Sequence, residues 1–316
     1  MKNACGVRVL VLLTSFWFGA ATAELSLADG RLRCDALVAA SSHFWRKQQG
    51  GLARNEFVFE QGTAVVGVTG LVSSEVAFRA SCDLAVLRPQ DAFVDVESQS
   101  GLGLRAGQFQ MPLGVDLMTN PVYAKFPGHP LMVAYAVPVE PWDIGIMGEW
   151  SSDRGYAAFA VVNGSGPNAL DNNDRKDFCC RAGFRPWLRQ DIEFAARGYY
   201  GWPDTATVAW RTIGAEFVYR GGRASVQAEL QNLSSARLAN NSGYAQFAYD
   251  LGIFEPVGRI EAVLPMRQRV DFSAMAGVNV RTPGDRVKVM LDVGYRSDTH
   301  IGWSLIGFTL RLQAVM

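Results

Sequence analysis

From about Asp91 to the end of the chain, hydrophobic and polar positions alternate in short runs. Ala224, Val226, Ala228 and Leu230 interleave with Arg223, Ser225, Gln227, Glu229 and Gln231. Val287, Val289, Leu291, Val293 and Tyr295 interleave with Arg286, Lys288, Asp292 and Arg296. A period of two sends one set of side chains to each face of a strand. Here one face is aliphatic or aromatic, and the other carries charges of both signs. Seventeen candidate strands run near 31–40, 54–60, 63–71, 74–82, 90–98, 102–110, 142–150, 154–163, 177–185, 190–200, 208–219, 222–231, 242–251, 254–263, 268–281, 285–296 and 302–315. The segments before Asp91 are less cleanly patterned, and two of them read equally as one bent strand or a loop.

One alternating strand fits a soluble sandwich as well as a barrel. A dozen or more in an exported chain favour a closed barrel, with lipid outside and water inside. Single-chain bacterial barrels have even strand numbers. The expected fold is therefore all-β: a transmembrane antiparallel β-barrel of about 16 strands, with 14 to 18 compatible with the pattern.

The export signal lies at the start. Lys2 and Arg8 precede a short apolar core, Val9 to Ala20, and Ala21-Thr22-Ala23 gives a small-x-small cleavage pattern. Residues 1–23 read as a signal peptide and 24–316 as one barrel domain. The apolar core is too short for a spanning anchor, and no later run reaches the ~20 apolar residues a membrane helix needs. The expected location is the Gram-negative outer membrane, with its lipid as the surrounding partner.

Composition narrows the function. Charged residues make up 19% of the chain and the formal net charge is zero, so no basic footprint for nucleic acid exists. Arginine is strongly favoured over lysine, 25 against 5. Arg keeps its charge when desolvated and holds a planar fork against oxyanions, which suits the wall of a pore. Cys34, Cys82, Cys179 and Cys180 follow the leader without CxxC spacing or a histidine cluster, so no metal or other cofactor is expected. Their pairing is open, and they read mostly as small apolar fillers.

Two connections are long. Met111 to Pro141 carries six prolines and two glycines, and Gly164 to Lys176 is a polar loop with no apolar pattern. The first is the candidate for a loop that folds into the lumen. Phe308, Leu310, Leu312, Ala314 and Met316 share one face up to the last residue, a pattern similar to the one recognised by the barrel-assembly machinery.

Asp91-Ala-Phe-Val-Asp-Val-Glu97, then Leu102-Gly-Leu-Arg-Ala-Gly-Gln-Phe-Gln-Met-Pro-Leu-Gly114, resembles a strand pair ending in a GQFxxPxG-type turn in the phosphate-selective porins O and P. Trp142-Asp143-Ile144-Gly145, the stretch from Val162-Asn163-Gly164 through Lys176-Asp177 to Arg181, and Phe254 to Arg259 resemble later blocks of that family in order. The resemblance covers roughly residues 85–316. It implies a sixteen-stranded homotrimeric barrel passing small anionic, phosphate-like solutes, with inward arginines and constriction lysines.

A ring of charge selects ions where a lumen narrows. Lys125 and His129, on the long loop, are therefore the first pore-lining candidates. Arg105, Arg181, Arg197, Arg259 and Arg269 follow from strand parity, because an arginine facing hydrocarbon costs ~2–4 kcal/mol near the midplane. The competing role for each arginine is a wall ion pair with no ligand. No catalytic residue is expected. An outer-membrane phospholipase-like enzyme would have to use His43, His129 or His300, none beside a nucleophile motif. A plugged structural or adhesive barrel is the other alternative, and it would need a filled bore.

Overall fold

The computed structural model describes residues 25–27, 31–49, 51–133, 140–186, 191–202, 208–235, 239–265, 270–282, 286–298 and 303–315. Residues 1–23, assigned above to a leader, and the candidate Arg269 lie outside the described residues. A short β1 (Leu25–Leu27) precedes β2 (Leu32–Gln49), β3 (Leu52–Leu71), β4 (Val76–Asp83), β5 (Arg88–Glu97) and β6 (Leu102–Gln110). After the long connection come β7 (Trp142–Ser151), β8 (Gly155–Val162), β9 (Asp177–Phe184), β10 (Ile192–Gly201) and β11 (Trp210–Gly221). The last six are β12 (Ala224–Ser235), β13 (Ala239–Tyr249), β14 (Phe254–Pro265), β15 (Asp271–Arg281), β16 (Val287–Asp298) and β17 (Trp303–Val315).

Each strand from β2 to β17 pairs antiparallel with its sequence neighbour, and β17 pairs with β2 from Trp303↔Gln49 to Val315↔Leu37. Sixteen strands thus close on themselves, which leaves no open ladder along the closed wall. β1 pairs with the start of β2, Leu25↔Cys34 to Leu27↔Leu32, just past the point where β17 ends.

The period-two reading holds closely from β4 onward. It fails in the first hairpin. The segments read as 54–60 and 63–71 are one strand, bent where the β2–β3 register shifts between Ala39 and Ser41. At that bend Gly62 sits so close to Ala39 that a Cβ would lie 2.4 Å from the carbonyl oxygen. β2 also runs on to Gln49, well past position 40. Its upper half places Phe44, Arg46 and Gln48 on one face, and that mixed face hides the apolar signal.

The outward face is the apolar one. Leu230 is 66% exposed while its neighbour Glu229 is 1% exposed. Leu104, Ile146, Phe159, Ile213, Ile260 and Ile306 likewise stand out from the wall. The inward face departs from the simple pattern on one side. Met147, Ala158, Ala160, Val162 and Cys179 point into the lumen and are buried in one apolar cluster. All four cysteines of the described chain are free thiols. Cys179 fills this cluster, whereas Cys180 is exposed on the outer face of the wall. Tyr199 also points inward, buried, with its hydroxyl on Asp177.

Candidate functional site

The apolar side of the lumen is covered by the chain's own long loop. After β6, Phe109, Met111, Leu113 and Leu117 join the cluster on β7, β8 and β9. A single helical turn α1 (Val115–Met118) and a 3-10 turn at Pro121–Tyr123 carry the loop across the bore. Phe126 then packs on Ala248 and Val257 of the opposite wall. Apolar side chains seat the loop at both ends.

Wall charges fix its backbone. Lys288 Nζ donates to the carbonyls of Val122 (2.8 Å) and Ala124 (2.7 Å). Arg259 Nη1 donates to Gly128 O (3.0 Å), Arg311 Nη1 to Pro127 O (2.9 Å), and Arg197 Nη1 to Leu113 O. Wall acids take the loop's donors: Glu229 accepts Asp116 N–H (2.8 Å) and Glu261 accepts Leu131 N–H (2.7 Å). A bent connection leaves many peptide groups without ladder partners, and buried ones must be satisfied. The charged lumen face supplies those partners. Gly114 lets the loop pass here: its φ is +130°, and a Cβ would lie 1.5 Å from Arg197 Nη1.

The sequence candidates separate into three groups. Lys125 and His129 are on the loop and line a common cavity, together with Arg181 and Arg259. Lys125 Nζ reaches Glu255 Oε1 at 2.5 Å, and His129 Nδ1 reaches Asp116 Oδ2 at 2.6 Å. Arg197 is buried as an anchor, paired with Glu229 and bonded to Gln231 Oε1 at 3.0 Å. Arg105 is elsewhere. It pairs with Asp95 at 2.7 Å, lies near Glu149 and stacks over Phe93, so the structure does not bring it to Lys125. Arg181 is doubly paired, with Glu216 at 2.7 Å and Glu193 at 3.4 Å; Arg259 pairs with Glu261 at 2.5 Å.

The cavity has a volume of about 600 Å³. It lies between the loop and the wall and extends towards the end of the barrel that carries the short turns, with Gly222, Arg223 and Asp250 among its lining residues. Six arginines and Lys125 line it against four acids: Asp116, Glu193, Asp250 and Glu255. Each acid already faces a base: His129, Arg181, Arg281 and Lys125 respectively. Arg223 and Arg311 form no ion pair among the described residues. Arg311 is the deeper one, and its buried Nε–H finds no acceptor. Parity places Arg311 in the lumen; it forms no ion pair among the described residues, and the Glu60 carboxylate acts on it from beyond ion-pair distance.

His129 is the one histidine of the loop, the side-chain type whose ordinary pKa lies nearest neutrality. The hydrogen bond that its ring donates to the Asp116 carboxylate, with that group's negative charge, holds its pKa above the usual 6.5, against desolvation and the repulsion of Arg259 and Arg311.

A closed sixteen-stranded antiparallel barrel with an inward loop between the fifth and sixth wall strands is the fold of outer-membrane porins. Solved structures agree. The anion-selective porin from Comamonas acidovorans superposes with a TM-score of 0.68 at 10% identity, covering 90% of this chain and 99% of that one. The outer membrane channel DcaP of Acinetobacter baumannii gives 0.65 at 8% identity, covering 92% and 100%. OmpT, an outer membrane protein of Vibrio cholerae in trimer form, gives 0.62 at 11% identity, covering 89% and 99%. No protein-family model matches the sequence, and no curated protein matches it either. The findings support the porin fold, and the narrower resemblance to the phosphate-selective porins stays without a match.

Proposed function

We propose that the chain is an outer-membrane diffusion channel for small solutes, with a preference for anions set in the cavity beside the inward loop. The carrying observation is the cavity lining: of its seven permanent cations Lys125, Arg181, Arg259 and Arg281 are paired with carboxylates, whereas Arg223 and Arg311 form no ion pair among the described residues. The porin fold supports a channel, and the anion-selective neighbour is one structure at low identity. Within this reading Lys125 and His129 modulate the field, Arg223 marks the mouth at the short-turn end, and Arg311 supplies a charge inside that is held in no ion pair. Arg181, Arg197 and Arg259 act mainly by holding the wall and the loop. Export through residues 1–23, assembly as a homotrimer and insertion by the barrel-assembly machinery belong to the same proposal.

The test is the zero-current potential across a planar bilayer under a KCl gradient, wild type against Arg311→Glu. A unit charge about 4 Å from an ion in water is worth about 1 kcal/mol. Reversing it therefore shifts each ion by about 2 kcal/mol in opposite senses, which is far more than tenfold in the anion-to-cation ratio. An unchanged potential in Arg311→Glu would remove this residue from the proposal.

A further inference from the structure

We infer that the cavity beside the loop is a binding site for aromatic carboxylates, which it takes in preference to inorganic phosphate. The inference rests on the anion-channel reading and specifies the solute. Three features of the lining carry it.

The first is the scarcity of uncommitted charge. Lys125, Arg181, Arg259 and Arg281 are all held by carboxylates. Deep in the cavity, Arg311 is half-buried, with one N–H on Pro127 and no ion pair among the described residues. One such group matches a single carboxylate head. A doubly charged phosphate needs several donors at once, and shedding its water here would leave oxygens unsatisfied.

The second is the rest of the lining. Tyr123 and Met118 are half-buried and border the space directly, with Phe126, Tyr156, Val218 and Met290 buried behind them. Two of these rings already carry an arginine on one face: Arg259 lies 4.6 Å from the Phe126 centroid and Arg181 lies 4.8 Å from that of Tyr156. Rings and thioethers reward a solute that brings its own apolar, polarisable body. An aromatic carboxylate brings a ring for this surface and a head for Arg311. Acetate brings the same head without the ring.

The third is size. About 600 Å³ falls in the range of small-molecule pockets. It is far more room than a bare oxyanion fills, and enough for a benzoate-sized solute with water beside it.

The experiment measures block of the chloride current through single channels by benzoate, acetate and inorganic phosphate. Benzoate is expected to half-block at a concentration at least tenfold below that of acetate, and below that of phosphate. Tyr123→Ala should raise the benzoate value towards that of acetate while leaving acetate unchanged; Arg311→Gln should raise both. Phe126→Ala is a weaker choice, because that ring also seats the loop. Calorimetric titration of the detergent-solubilised barrel with benzoate and acetate makes the same comparison without any need for conduction. Equal values for benzoate and acetate, or tighter block by phosphate, overturn the inference while leaving anion preference standing. A cation-preferring zero-current potential strikes the channel reading instead, and the two failures are told apart by which measurement moves.

Discussion

Replacing Arg197 with methionine removes the anchor at the start of the inward loop. Arg197 Nη1 bonds both the Leu113 carbonyl and Glu229, and Nη2 donates to Gln231 Oε1 at 3.0 Å. The side chains of Arg197 and Glu229 are 3% and 1% exposed, so the pair is fully desolvated. Removing one partner of a buried pair costs ~3–5 kcal/mol, because the other charge is left behind. Glu229 would still accept from the Tyr244 hydroxyl (2.6 Å) and Asp116 N–H (2.8 Å), which places the cost near the lower bound, about 3 kcal/mol. Methionine keeps the apolar stem, so the loss is one of charge and hydrogen bonds rather than volume. The loop keeps its later ties at Lys288, Lys125 and Leu131, so its first half loosens while the rest stays docked. Single-channel recording should show larger conductance and noisier open states, and the heat-modifiable band should unfold at lower temperature. A quiet channel of unchanged conductance and unchanged unfolding temperature would refute the anchoring role.

Two further outcomes are expected. Because Asp116 raises the His129 pKa above 6.5, the ion pair is fully formed below pH 6.5 and is lost as pH rises through the raised value. Anion preference should accordingly strengthen as pH falls through that window, and His129→Gln should flatten the response; an identical pH profile in the variant counts against the assignment. In a chain with Cys34, Cys82, Cys179 and Cys180 replaced by alanine, a membrane-impermeant thiol reagent should label a cysteine at Gln227, which borders the cavity, and spare one at Ala228, which pairs with Ala245 on the outer face. Equal labelling of both would contradict the face assignment.

Much of this architecture is legible in the chain because a lipid-facing wall imposes a strict period. Leu291, Val293 and Tyr295 must be apolar where Asp292 need not be. Ser41 to Gln49 carries no such period, since Arg46 and Gln48 share a face with Phe44, and the upper half of β2 is not read as strand. The inward loop is legible from its length and prolines. Its attachments are not, because Lys125 and Glu255 are 130 residues apart and Arg311 and Pro127 are 184 apart. Strand parity says that Arg105, Arg197, Arg259 and Arg311 all point inward. It does not say which of them are paired with carboxylates, and that difference separates Arg311 from the rest. The apolar lumen patch around Met147 and Val162 is unreadable for a related reason: an inward apolar residue is explained only once the loop that covers it is in place.

The central claim is that the lumen beside the loop keeps an excess of positive charge that passing ions feel. Its most direct test is the sign of the wild-type zero-current potential under a tenfold KCl gradient, measured at neutral pH and at low ionic strength, where screening is weakest. The sign of anion preference is predicted, shrinking as total salt is raised at a fixed gradient. A zero or cation-preferring potential under those conditions would contradict the account.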